Sequence, residues 1–203
     1  PESFECDAVA CTRIQTDGSL PYDDDRFDAV VSIEVIEHVE DQFAFLRELK
    51  RVTKPGGLAV ITTPNTLNIN SRLRTLANGF PLLFDPLPLD MHDPRTLGGH
   101  IHPISPYFLA YTALRSGFVR PSFHPDRIKK SAVAWTLILS PALLLGRLLQ
   151  RRRLGRKNPG VLEQNRDLLA AQNGWEMLTC RTAVLRVEKP MAKTGVGSSV
   201  SGD

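Results

Sequence analysis

Turn formers fill "TDGSLPYDDDR", and at "FDAVVS", residues 27–32, the chain turns apolar. A short Val-rich run of this kind predicts a strand covered on both faces. A weaker strand is expected upstream, from about Ala10 to Thr16. In "QFAFLRELKRV", Phe43, Leu46, Leu49 and Val52 recur at helical spacing, with Arg47, Glu48, Lys50 and Arg51 largely opposite. Asp41 is placed to cap this helix. "KPGG" ends it, because Pro55 cannot continue a helix and Gly56 and Gly57 supply positive φ. "LAVITTP" follows as a second buried strand. Strand, helix, tight turn and strand make a βαβ unit, and such crossovers are right-handed.

Residues 64–104 read as a long, polar, Pro-rich connection, a length more typical of a functional lid than of a passive loop. "SPYFLAYTALRSGF" predicts a helix with Ser105 at its N-cap, Pro106 in its first position and Gly117 past its end. "FVRPSFH" has the character of a short strand. The most apolar stretch begins at Ser131, and its charge-free part runs for sixteen residues to Gly146. A membrane-spanning helix needs about 20 apolar residues, so this one is marginal. A last helix is expected at about Val161 to Gln172 and a last strand at "TAVLRVE". The tail from residue 191 has the composition of a disordered segment.

Composition adds a polarity to this outline. The net charge is only +3, but residues 1–50 hold thirteen acids and four bases, whereas residues 127–157 hold nine bases and no acid. The two parts are expected to face different surroundings. Three cysteines without a CxxC pair suit a reducing compartment. No signal peptide opens the chain, and a cytoplasmic location, at the inner face of a membrane, is expected. Pro1 rather than Met comes first, as expected of a fragment.

The stretch from "DGSLPYDDDRFDAVV" through "EHV" and "KPGG" to "TPN" resembles the class I S-adenosylmethionine-dependent methyltransferases. The likeness is good over residues 15–65 and looser to about 119. It implies an α/β, Rossmann-like, doubly wound sheet with the cofactor at the carboxyl ends of the strands. By position, Asp17 and Gly18 would face the adenine ring of S-adenosylmethionine, and Ile33 would pack against the cofactor. The family's glycine-rich loop and ribose-binding acid find no counterpart before Ile14. The expectation is therefore an N-terminally incomplete domain over residues 1–190, with residues 127–157 as an apolar and basic insertion before the last strands.

"SIEVIEHVED" carries the candidate chemistry. Glu34, Glu37 and His38 resemble the Glu-x-x-Glu-His of two branches that bind a divalent metal, the ubiquinone-pathway O-methyltransferases and the plant-type small-RNA 2′-O-methyltransferases. His100, in "GGHIHPIS", is the candidate fourth ligand. If residues 34–38 form a helical turn, the three share a face, and two close carboxylates repel unless a cation or proton separates them. Mg²⁺ or Mn²⁺ is the expected ion. His38 as a metal-free general base, and a plain helix start, remain open alternatives. His92 and His102 have no assigned role.

The resemblance implies methyl transfer to an oxygen or nitrogen nucleophile of a small-molecule, lipid-linked or glycan substrate. The rival reading is a non-catalytic relative that binds a membrane or a partner. Residues 127–157 fit peripheral contact with anionic lipid, or a helix covering the cleft. With few aromatics to stack bases, no specific nucleic acid is expected.

Overall fold

The computed structural model describes residues 10–12, 14, 18–90 and 99–192. Asp17, His92 and the tail from residue 193 lie outside the described residues, as do Arg13, Gln15 and Thr16 of the expected strand from Ala10 to Thr16. The described part of that stretch, residues 10–12 and 14, carries no regular structure.

Four strands form one mixed sheet in the order β1-β2-β4-β3. They are β1 (Phe27–Ile33), β2 (Thr53–Pro64), β3 (Val119–His124) and β4 (Thr182–Glu188). β1 runs parallel to β2, and β4 runs antiparallel to both β2 and β3. The expected α/β architecture with a central sheet is therefore present. The crossover helix α1 (Gln42–Val52) starts at Asp41, whose Oδ1 accepts from the Ala44 N–H at 2.8 Å. Leu46, Leu49 and Val52 bury its inner face, whereas Phe43 stays 40% exposed.

The outer face of α1 does more than meet solvent. Arg51 donates to the carbonyls of Tyr22 and Leu20, at 2.7 and 3.0 Å, while Glu48 accepts from the Leu20 N–H at 2.7 Å. This clamp holds the loop that enters β1. At the far end of α1 only Gly56 takes positive φ (77°). Gly57 is needed for closeness instead, since a Cβ there would lie 2.8 Å from the Asp28 carbonyl oxygen.

Three expectations need correction. β1 is not covered on both faces: it is an edge strand among the described residues, with Val31 58% and Ile33 68% exposed. The 64–104 connection is not all loop, because α2 (Ile69–Asn78) lies inside it, capped by Asn68 and ended by Gly79 at φ 85°. The helix expected over 161–172 is two, α5 (Pro159–Gln164) and α6 (Arg166–Gln172), parted at Asn165.

The helix over Pro106–Arg115, α3, packs Leu109, Ala110 and Ala113 into the core with Ile61 and Leu185. The apolar and basic segment is a single 28-residue helix, α4 (Lys130–Lys157). Pro141 sits inside it. Only Ala132 and Thr136 of α4 are buried. A short helix, α7 (Trp175–Thr179), leads into β4.

Candidate active site

β1 ends at Ile33, and the next residue turns the chain sharply. Glu34 has φ 52°, a left-handed conformation that is uncommon for a residue with a Cβ. Its N–H is held by the Thr62 carbonyl oxygen at 3.2 Å and the Thr62 Oγ1 at 3.0 Å. Thr62 lies on β2 beside it, so the parallel pairing of the two strands fixes this turn. Only then does a single 3₁₀ turn, Ile36–His38, begin.

That turn places Glu37 inward. Glu37 is wholly buried, and neither carboxylate oxygen has a hydrogen-bond partner. A bare carboxylate in such a place is costly, by several kcal/mol as an order of magnitude, unless a cation or a proton compensates it. The Glu37 carbonyl oxygen accepts from the N–H groups of Ile101 and His102, both at 3.0 Å. These bonds pull the end of the long connection back over the strand ends, and His102 Nδ1 adds a contact to the Val39 carbonyl at 2.7 Å.

Docking of residues 99–102 brings His100 to His38, with ring centroids 4.7 Å apart. Ligand atoms of Glu37, His38 and His100 lie within 4.8 Å of one another. Each imidazole is held from behind. His38 Nδ1 donates to the Gly99 carbonyl at 2.9 Å, and His100 Nδ1 donates to the Leu83 carbonyl at 2.7 Å. A ring nitrogen facing a carbonyl must carry the proton, which leaves the lone pair on Nε2. A buried carboxylate without partners and two imidazoles in this tautomer fit a divalent cation with oxygen and nitrogen ligands.

Glu34 stands apart from this trio. The sequence-based expectation required a continuous helical turn over residues 34–38, and the left-handed Glu34 breaks it. Its Oε1 accepts from Thr62 Oγ1 at 3.3 Å instead. Burial, reinforced by the charge of Glu37, pushes its carboxyl above the ordinary glutamate range, against the Thr62 hydrogen bond. Glu34 and Ile33 border an open cavity of about 310 Å³, also lined by Thr62, Asp126, Arg127 and Arg181. Ile33 is thus surface beside a cavity rather than core. Gly18 sits at φ 82° in open space, and the expected adenine-binding carboxylate, Asp17, lies outside the described residues.

Several residues that shape the site carried no distinctive sequence signal. Arg127 and Arg181 meet only because the Arg181 N–H donates to the Arg127 carbonyl and Ile128 bridges Cys180. Asn65, in the "TPN" that ends β2, donates to the carbonyls of Met177 and Cys180 at 2.8 and 3.0 Å. It ties the strand end to the segment that delivers Arg181.

Residues 3–61 match the family model described as methyltransferase domain. Over that segment the chain is similar to S-adenosylmethionine-dependent methyltransferases. A probable S-adenosylmethionine-dependent methyltransferase of Mycolicibacterium smegmatis is 41% identical over 61 residues, 30% of this chain and 24% of that protein. The norajmaline N-methyltransferase of Rauvolfia serpentina is 43% identical over 58 residues, 29% of this chain and 20% of that one. A ubiquinone biosynthesis O-methyltransferase of Rhodopseudomonas palustris is 56% identical over 41 residues, 20% of this chain and 16% of that one. The chain therefore matches a quarter or less of the length of each of these three methyltransferases. The matched family segment contains β1, the 3₁₀ turn with Glu37 and His38, α1 and much of β2. His100 and the residues that hold it lie beyond that segment.

Proposed function

We propose that this chain is part of an enzyme that moves the methyl group of S-adenosylmethionine to an oxygen or nitrogen nucleophile. The acceptor would be a small molecule, with a lipid-linked one favoured by the apolar and basic α4. The acceptor lone pair attacks the sulfonium methyl in line, the carbon–sulfur bond breaks, and a neutral thioether leaves. The methyl is already activated, so the protein's work is alignment and proton removal.

Ile33 offers an apolar wall for the cofactor, and Gly18 the turn beside it. The observation that carries the reading is the buried, unpartnered Glu37 carboxylate with His38 and His100 oriented toward it. These three would hold a divalent cation such as Mn²⁺ or Mg²⁺. When bound, such an ion lowers the pKa of a hydroxyl acceptor and fixes its oxygen, which favours an oxygen nucleophile. Glu34, with its raised carboxyl pKa and its place on the cleft, is suited to take the acceptor's proton. Without a metal His38 is the alternative base, because its Nε2 lone pair is then free to take a proton.

We also read α4 as a peripheral membrane contact on the cytoplasmic side. It is long and apolar enough to enter a bilayer, and its C-terminal part is basic.

The test uses titration calorimetry with S-adenosylmethionine and Mn²⁺, on this chain and on a version extended upstream. Cofactor heat, with methyl transfer abolished by EDTA and restored by Mn²⁺, supports the metal-assisted reading. Transfer that survives EDTA but is lost in His38→Gln assigns His38 as the base. No cofactor binding by either version would leave the non-catalytic, membrane-binding reading, which α4 favours.

A further inference from the structure

In α4 apolar and basic residues are separated along the helix axis rather than around it. From Leu137 to Leu145 its side chains are apolar apart from Ser140, and from Arg147 onward arginine dominates. Leu137, Ile138, Leu144 and Leu145 are each more than half exposed. At the C-terminal end of α4 the chain doubles back: the Asn158 N–H donates to the Leu154 carbonyl, α5 packs against α4, and α6 faces its basic part. The wedge between them is a cavity of about 500 Å³. Arg147 and Arg151, one helical turn apart, line it from α4, and Arg166 lines it from α6. Leu154, Leu162 and Leu169 contribute apolar wall. Glu163 is the one acid of the lining, and it reaches Arg166 only at 3.9 Å. Among the described residues no acid pairs with Arg147 or Arg151.

Three guanidinium groups around an apolar-walled cavity, two of them without a counter-charge, suit a phosphate that carries hydrocarbon. The position suits it as well. With α4 lying in the interface, the exposed leucines between residues 137 and 145 face acyl chains and Arg147 and Arg151, next along the helix, meet headgroups. We propose that the wedge between α4 and the α5–α6 arm is a binding site for the phosphate headgroup of an anionic phospholipid, which docks the protein on the membrane. The inference rests on the membrane reading of α4 and specifies which residues grip the lipid. Arg152, Arg153 and Arg156 carry the same charge but do not line the wedge.

The experiment is co-sedimentation of the chain with phosphatidylcholine vesicles, with and without phosphatidic acid. Three forms are compared: wild type, R147Q/R151Q/R166Q, and R152Q/R153Q/R156Q. Circular dichroism melts confirm that all are folded. Losing surface charge alone weakens vesicle binding about fivefold per arginine in either triple variant. The expected result is a further loss of about tenfold in the wedge variant, as contacts to the phosphate itself disappear. Equal losses in the two variants would overturn the wedge site while leaving the membrane reading standing. No wild-type binding to either vesicle would overturn both. Two soluble competitors identify the source of the phosphate. Inorganic phosphate or single-stranded RNA that binds the wild type as tightly as the vesicles do, and loses that binding in the wedge variant, would overturn the lipid assignment.

Discussion

At the scale of single residues, the site turns on the difference between two glutamates three positions apart. Glu37 is buried without a partner, whereas Glu34 is half-buried and leans on Thr62. Glu37→Gln removes a charge that nothing nearby offsets in the apo protein. With EDTA present the variant is expected to be more stable than wild type by about 1 kcal/mol or more in chemical denaturation. Saturating Mn²⁺ at about a hundred times its Kd should add about 2.7 kcal/mol to wild type and nothing to the variant. A less stable apo variant would mean that the carboxylate has a partner after all. Glu34 gives a pH signature. Its folded carboxyl holds a proton at pH values where the unfolded chain has lost it. Stability therefore falls as pH rises from the ordinary glutamate range through the raised value, and then levels. In EDTA, melting temperatures of wild type should drop relative to Glu34→Gln across that window. Parallel profiles would show that the Glu34 carboxyl is not raised by folding.

At the scale of elements, the site depends on joints more than on helices. The "TPN" end of β2 is fixed by Asn65, which is 3% exposed and donates to two carbonyls while its Oδ1 accepts from the Leu67 N–H at 2.9 Å. Asn65→Ala removes a donor from each buried carbonyl and the acceptor of that N–H. The expected cost is about 2–4 kcal/mol in urea denaturation. Since Asn68 also donates to the Cys180 carbonyl, one of those carbonyls keeps a partner, which favours the lower half of the range. A cost near zero would show that the segment from α7 to β4 is held by packing alone. The end of the long connection, residues 99–102, is likewise held by backbone bonds to the 3₁₀ turn, and main-chain carbonyls orient its two histidine rings, with Phe84 packed against His100.

At the scale of the whole molecule, the sheet is lopsided. β4 alternates buried and half-buried positions between two neighbours, while β1 shows one edge and much of its apolar surface to solvent. Leu185→Ala on β4 should cost about 2–5 kcal/mol, the range for an interior leucine. Val31→Thr on β1 should change stability by less than about 0.5 kcal/mol, as at an exposed position. A large cost at Val31, measured by thermal melts of the same chain, would show that β1 is covered in solution by a surface the described residues do not include. α4 adds a second asymmetry, since its N-terminal end is anchored on the body, its apolar middle is exposed, and its arginine-rich end meets the α5–α6 arm.

The amino-acid sequence alone determined what depends on neighbours a few positions apart. Leu46, Leu49 and Val52 set the buried face of α1, Asp41 its start, and Val-rich runs the strands on either side. It also placed Glu37, His38 and His100 on one short list, through a resemblance rather than through spacing. Tertiary structure decided the rest. Glu34 left the cluster because pairing of β1 with β2 bends the chain into a left-handed turn at its N–H, which no local pattern encodes. His100 joined His38 because two backbone N–H groups, sixty-odd residues downstream in sequence, bond to the Glu37 carbonyl. Exposure of β1 and the arginine wedge behind α4 were equally invisible, since a run of apolar or basic letters carries no record of which side another segment will cover.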